Sequence, residues 1–278
     1  MAEITAHHGL FKDTNLHVDD TGGSGRAVVL IHGWPLSGAS WSEQVPALIA
    51  AGYRVVTYDR RGFGQSDKTR SGYDYDTLTE DLHTLLVDLD LTDVTLVGFS
   101  MGGGEVARYF TKYGDERLHS VVFASAVPPF LAQGTDNPDG PLTPDLANEM
   151  KSGLKADEAT FYDGFVTSFF SVDGQLKVTE AQRQQAIALT KQADKKAALA
   201  CMASFGTTDF RGDLPKVNVP TLVIHGAGDG VVPLAGSGAR THAAIAGSTL
   251  HVVADAPHGN NVSHAEEFNR VLLEFLAR

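Results

Sequence analysis

The chain has 278 residues, 42% of them hydrophobic and 20% charged, a composition that buries a large core and excludes an intrinsically disordered chain. With 22 Lys+Arg against 34 Asp+Glu the formal charge is −12, which repels phosphate backbones and anionic bilayers and argues against nucleic acid or membrane partners. One cysteine, Cys201, excludes an intrachain disulfide and reads as a buried core thiol.

The first segment, Met1 to His8, lacks the basic and apolar stretches of a secretory leader, and a cytoplasmic location is expected. Short apolar runs bounded by turn residues follow at 27–31, 53–58, 94–97 and 118–123, and again at 221–224 and 250–253; each reads as a buried strand. Between them lie helical patterns such as 77–89, where Thr77 and Glu80 fit a capping box and Leu78, Leu82, Leu85, Leu86 and Leu89 form an apolar stripe. Alternation of strand and helix predicts an α/β fold with a mostly parallel central sheet covered on both faces.

The rhythm breaks at 128–215, where no strand-like run is read and three helical segments are expected, at 144–154, 159–170 and 179–205. This predicts a small helical cap, residues 128–215, inserted into a core formed by 1–127 and 216–278. Phe161, Phe165 and Phe169, spaced by four, read as cap core rather than substrate contacts.

Val94 to Tyr109 reads as strand, glycine turn and helix, with Ser100 at the apex of Gly98-Phe99-Ser100-Met101-Gly102. A serine raised on so sharp a turn needs small neighbours, and the following helix aims its N-terminal amides at charge developing beside it. The hydroxyl is a weak nucleophile until a base takes its proton, so a histidine and an orienting carboxylate are required. Asp229 follows the strand at 221–224 on a glycine-rich loop, and His258 follows the strand at 250–253, in the chain order nucleophile, acid, base. Asp255 is the alternative acid, too near His258 in sequence to reach its far side. Of the competing histidines, His225 and His251 sit in or beside strands and read as satisfied, hydrogen-bonded residues, His242 lies on an exposed helix and His264 on the final helix. Ile31-His32-Gly33-Trp34-Pro35 supplies the early loop whose Trp34 amide pairs with that of Met101 as an oxyanion hole, with His32 bracing the loop. The segment Asp59 to Asp67 lacks the third glycine of a dinucleotide loop, and no metal-ligand motif occurs, so no cofactor and no metal are expected.

His32-Gly33-Trp34-Pro35-Leu36, Tyr58-Asp59-Arg60-Arg61-Gly62-Phe63-Gly64, the block Gly98 to Tyr109, Ser125-Ala126-Val127-Pro128-Pro129 and Ala256-Pro257-His258-Gly259 resemble the cofactor-free haloperoxidase, arylesterase and γ-lactamase family of α/β-hydrolases. The resemblance is strong through the core and weak across the cap. It implies a Ser100–His258–Asp229 triad, Trp34 and Met101 as main-chain donors, hydrolysis of small esters, and perhydrolysis, in which peroxide cleaves the acyl-enzyme and the released peracid oxidises halide. Two alternatives stay open on the residues alone: an amidase acting on small lactams, and a small-molecule receptor of low turnover on the same fold. The expected partner is a small ester or amide substrate, with a homo-oligomer left open.

Overall fold

The computed structural model describes residues 2–7 and 13–278; Met1 and His8, at the ends of the segment read for a leader, lie outside the described residues. Its strands are β1 (Ala2–His7), β2 (Asp13–Asp20), β3 (Ala27–Ile31), β4 (Arg54–Tyr58), β5 (Val94–Phe99), β6 (Leu118–Ala124), β7 (Ser171–Val172), β8 (Gln175–Leu176), β9 (Thr221–Gly226) and β10 (Thr249–Val253). Eight of them make one sheet in the order β1-β2-β4-β3-β5-β6-β9-β10, parallel from β4 to β10 with β1 and β2 antiparallel at one edge.

Every residue of β3 and β5 is buried, which is why these strands read as unbroken apolar runs. Alternate side chains serve the two faces. Val29 and Ile31 pack in one cluster with Leu78 and Leu82 of α2 (Tyr75–Asp88) and Val106 of α3 (Gly102–Tyr113). Val28 and Leu30 pack in the other, with Leu48 of the preceding helix α1 (Gln44–Ala50) and Phe268 and Leu272 near the C-terminus. Strand order reverses around β3, which pairs with β4 on one side and β5 on the other. The crevice at the carboxyl ends of such neighbours is where open α/β sheets hold ligands.

Between β6 and β9 the chain forms α4 (Pro144–Ala156), α5 (Glu158–Phe169), the β7–β8 hairpin, α6 (Glu180–Thr190) and α7 (Lys195–Thr207), none of which adds a strand to the main sheet. The segment expected as one helix at 179–205 is therefore two. Asp194 starts the second by accepting from the Ala197 amide at 2.9 Å. The hairpin was not anticipated either, because two residues per strand leave no periodicity to read; its turn is Asp173-Gly174, both at positive φ. The remaining helices are α8 (Gly238–Ala244), the short α9 (Asn260–Ser263) and α10 (Ala265–Leu276). His264 is the boundary residue between the last two, not a member of the final helix.

Two further expectations are corrected. Helix α2 starts earlier than expected, with Asp74 accepting from the Thr77 amide at 3.0 Å, so Thr77 lies inside the first turn and the Thr77–Glu80 capping box does not form. Strands β1 and β2 were missed. Among the described residues they bury Ile4, Ala6, Thr14, Leu16 and Val18 on one face, and the residues between are polar. Among the described residues, no helix is long and apolar enough to cross a membrane.

Candidate active site

Loops leaving β3, β5, β9 and β10 converge at the carboxyl end of the sheet. Register pairs Ile31 with Gly98, so the turns carrying Trp34 and Ser100 emerge side by side. Ser100 sits at φ +54°, a left-handed conformation costly for a residue with a side chain, which persists because its amide is anchored to the Ala124 carbonyl at 2.9 Å and its carbonyl accepts from Val127 and Gly103. The turn closes only because its flanks are glycine. A Cβ on Gly98 would stand 2.6 Å from the Gly102 carbonyl oxygen, and one on Gly102 would stand 2.6 Å from that of Ile31.

The structure brings Ser100, His258 and Asp229 into one hydrogen-bonded line. His258 Nε2 lies 3.0 Å from Ser100 Oγ and its Nδ1 lies 2.7 Å from Asp229 Oδ2, with all three residues buried. A carboxylate only accepts, so Nδ1 carries the proton and Nε2 presents its lone pair to the serine hydroxyl. The rings of Phe99 and Phe169 pack on the imidazole at 5.1 and 4.9 Å and restrict its rotation. The other oxygen of Asp229 accepts from the Val231 and Val232 amides at 3.0 and 2.8 Å, pinning the carboxylate in plane. Burial alone would raise the pKa of Asp229, but the His258 and His225 imidazoles outweigh it and hold the group well below the usual carboxylate range.

Asp255 stands apart, an exposed partner of Lys177 at 2.7 Å. His251 pairs with Glu267 and His242 with Ser248, both away from the serine, and His242 is half-buried rather than exposed. Cys201 is buried on α7, where burial pushes the thiol up to about 12 and leaves no thiolate to act as nucleophile.

Trp34 and Met101 are both buried next to Ser100, and among the described residues neither main-chain N–H has a hydrogen-bond partner. The Trp34 indole donates to the Ala198 carbonyl at 3.0 Å, tying the loop after β3 to α7. Its ring also packs against Phe161, Phe165 and Phe205.

Residues 26–265 match the model of the family described as the alpha/beta hydrolase fold. The chain belongs to that family. Among α/β hydrolases it is 42% identical over 257 residues to a non-heme chloroperoxidase of Kitasatospora aureofaciens, covering 91% of this chain and 93% of the relative. It is 33% identical over 247 residues to a bifunctional esterase/perhydrolase of Acinetobacter calcoaceticus, with 88% and 89% covered. The crystal structure of a bromoperoxidase from Bacillus anthracis superposes with a TM-score of 0.95 at 49% identity, covering 100% of this chain and 99% of that one.

In this hydrolase the serine faces an apolar cavity of about 50 Å³ lined by Trp34, Val127, Leu142, Phe165, Phe205 and Val232 among others. Phe165 thus lines the cavity, and Phe169 packs on His258. The aromatic stripe of α5 serves the site as well as the packing of its own region.

Sequence reading missed the buried polar network behind the site. Arg60, after β4, donates from Nε to Glu105 Oε1 at 2.8 Å and from Nη2 to the His32 carbonyl at 2.8 Å, while Tyr58 donates to Glu105 Oε2 at 2.6 Å. The Arg60 amide donates to His32 Nε2 at 2.9 Å; burial and the adjacent guanidinium keep that imidazole neutral. One ion pair therefore ties α3, the helix that follows Ser100, to the loop carrying Trp34. Its sequence signal was a Glu on the glycine-rich first turn of α3, five residues after Ser100. Arg60→Met should lower folding stability by about 3–5 kcal/mol by stranding the Glu105 charge, read as a fall in the urea midpoint with unchanged slope; an unmoved midpoint would show the pair to be dispensable.

Proposed function

We propose that this hydrolase cleaves small carboxylic esters through an acyl group carried on Ser100 and passes the same acyl group to hydrogen peroxide when peroxide is present. The observation that carries the proposal is the Ser100–His258–Asp229 line, at 3.0 and 2.7 Å, opening onto a small apolar cavity. His258 takes the serine proton as Oγ attacks the ester carbonyl, Asp229 holds the imidazole in its reactive tautomer, and the Trp34 and Met101 amides receive the oxyanion. His258 then returns the proton to the departing alcohol. Water or peroxide attacks the acyl-enzyme in turn, giving the acid or the peracid and regenerating the serine. Residues 128–215, whose Phe165 and Phe205 wall the cavity, act as a cap that keeps bulk water from the acyl-enzyme.

The names of the relatives, a chloroperoxidase and an esterase/perhydrolase, support both halves of this reading. Halide oxidation follows outside the site: peracid transfers oxygen to bromide, giving hypobromite and the carboxylate. The protein given peroxide, bromide and acetate should therefore brominate monochlorodimedone. The rate should fall to background when acetate is replaced by phosphate, and chelator should leave it unchanged. Bromination that survives without carboxylate would overturn the acyl route.

A further inference from the structure

His225 is the penultimate residue of β9, four residues before Asp229, and is fully buried. Its Nε2 lies 2.8 Å from the Val232 carbonyl oxygen and 3.2 Å from Asp229 Oδ2. A carbonyl oxygen can only accept, so Nε2 carries the proton, donates it to Val232 and turns its positive N–H edge toward Asp229 Oδ2 at 3.2 Å. The other ring nitrogen, Nδ1, is buried without a partner and faces Gly238, on which a Cβ would stand 2.5 Å from it. A second ring proton would find no acceptor there. His225 is thereby fixed as a one-proton donor pointing toward the acid of the triad. Among the described residues, the titratable side chains within hydrogen-bond distance of His225 and Asp229 are only each other and His258.

We infer that His225 is a positioning residue for Asp229, sharing with His258 the same carboxylate oxygen and so setting how much of that oxygen's charge the catalytic imidazole receives. The inference rests on the triad reading of Ser100, His258 and Asp229. The same ring grips the main chain of Val232, whose amide holds the other carboxylate oxygen and whose side chain lines the cavity. One side chain thus fixes the acid from two directions. Removing its proton leaves more of the carboxylate charge for His258, stabilises the imidazolium form, and carries the acid limb of the rate profile to higher pH.

The test compares His225→Leu, which fills the space without a donor, with His225→Gln, whose amide reaches as far and still donates. On p-nitrophenyl acetate, His225→Leu should lose on the order of tenfold in kcat with KM little changed, and its acid limb should move up by roughly half a pH unit. His225→Gln should restore both. If His225→Leu does not fold, Gly238→Ala keeps the imidazole but displaces it and should reproduce the shift. An acid limb at the wild-type pH in the folded donor-less or displaced variant, or equal damage in His225→Gln, overturns the inference. Labelling of wild-type Ser100 by a fluorophosphonate separates the two levels: no label means the triad reading has failed, and a labelled serine with an unmoved acid limb means only the His225 inference has.

Discussion

Ser100→Ala should reduce kcat for p-nitrophenyl acetate by on the order of a million-fold, because members of such a triad act as a unit and removing the nucleophile costs nearly as much as removing all of them. The fold should stay intact. Among the described residues the hydroxyl has a single hydrogen bond, to His258, while the turn is held by main-chain bonds to Ala124, Val127 and Gly103 that alanine keeps. Alanine also tolerates φ +54° no worse than serine does, so no new strain arises at the apex. The expected result is therefore a protein with the wild-type melting profile, no fluorophosphonate label and hydrolysis at background. Wild-type turnover by this variant, in a preparation free of host esterases, would mean that another group carries the reaction.

Much of the site was legible because its chemistry forces unusual local sequence. A serine at positive φ on the turn between strand β5 and helix α3 requires glycine at 98 and 102, and that requirement is visible in the chain itself. Asp229 and His258 were legible for a related reason: each follows a short strand on a loop of glycine, alanine and proline where few residues can ionise, Asp255 being the one competing acid beside His258. His225 was also seen and taken for a hydrogen-bonded structural histidine, in keeping with its bond to the Val232 carbonyl. Its approach to the Asp229 carboxylate was not legible, because whether a ring near the end of a strand faces that carboxylate or the opposite layer depends on the pleat, which sequence leaves undetermined there.

The parts of the fold that stayed hidden were those stabilised by contacts distant in sequence. Of the described side chains, strand β1 buries two and β2 three, and their register is set by pairing with each other and with β4 rather than by any run of their own. Between α6 and α7 the stretch 179–205 keeps helical composition throughout. The break comes from Asp194, which caps the second helix and whose amide donates to the Gly62 carbonyl in the loop after β4. The Arg60–Glu105 pair is of the same kind: two charges far apart in the chain, meaningful only once β4 and α3 are packed together.

Asp229→Asn should cost roughly ten-thousand-fold in kcat, the scale on which a triad suffers when its acid becomes an amide, whereas Asp255→Asn should leave the rate within about twofold, since an exposed ion pair contributes only ~0–1 kcal/mol. The geometry explains why the amide cannot adapt. Val231 and Val232 both donate to one side-chain oxygen of residue 229, so an asparagine keeps its carbonyl there and turns its NH2 toward His258 Nδ1. Nδ1 must then accept, the ring proton moves to Nε2, and the lone pair that would take the serine proton is gone. His225 adds to the conflict, because its Nε2–H would also face that NH2. The wild-type carboxylate is spared any such loss on the acid side. Its pKa is held well below the ordinary value, so it remains ionised as pH falls through the range in which esters are assayed, and its contribution to folding stability disappears only at still lower pH. Asp255, paired with Lys177 and exposed, already sits at φ +53°, a conformation asparagine accepts, so its substitution leaves the loop carrying His258 in place. Steady-state kinetics of the two variants decide the matter: the opposite ranking would transfer the orienting role to Asp255 and require the loop after β9 to be rebuilt in solution.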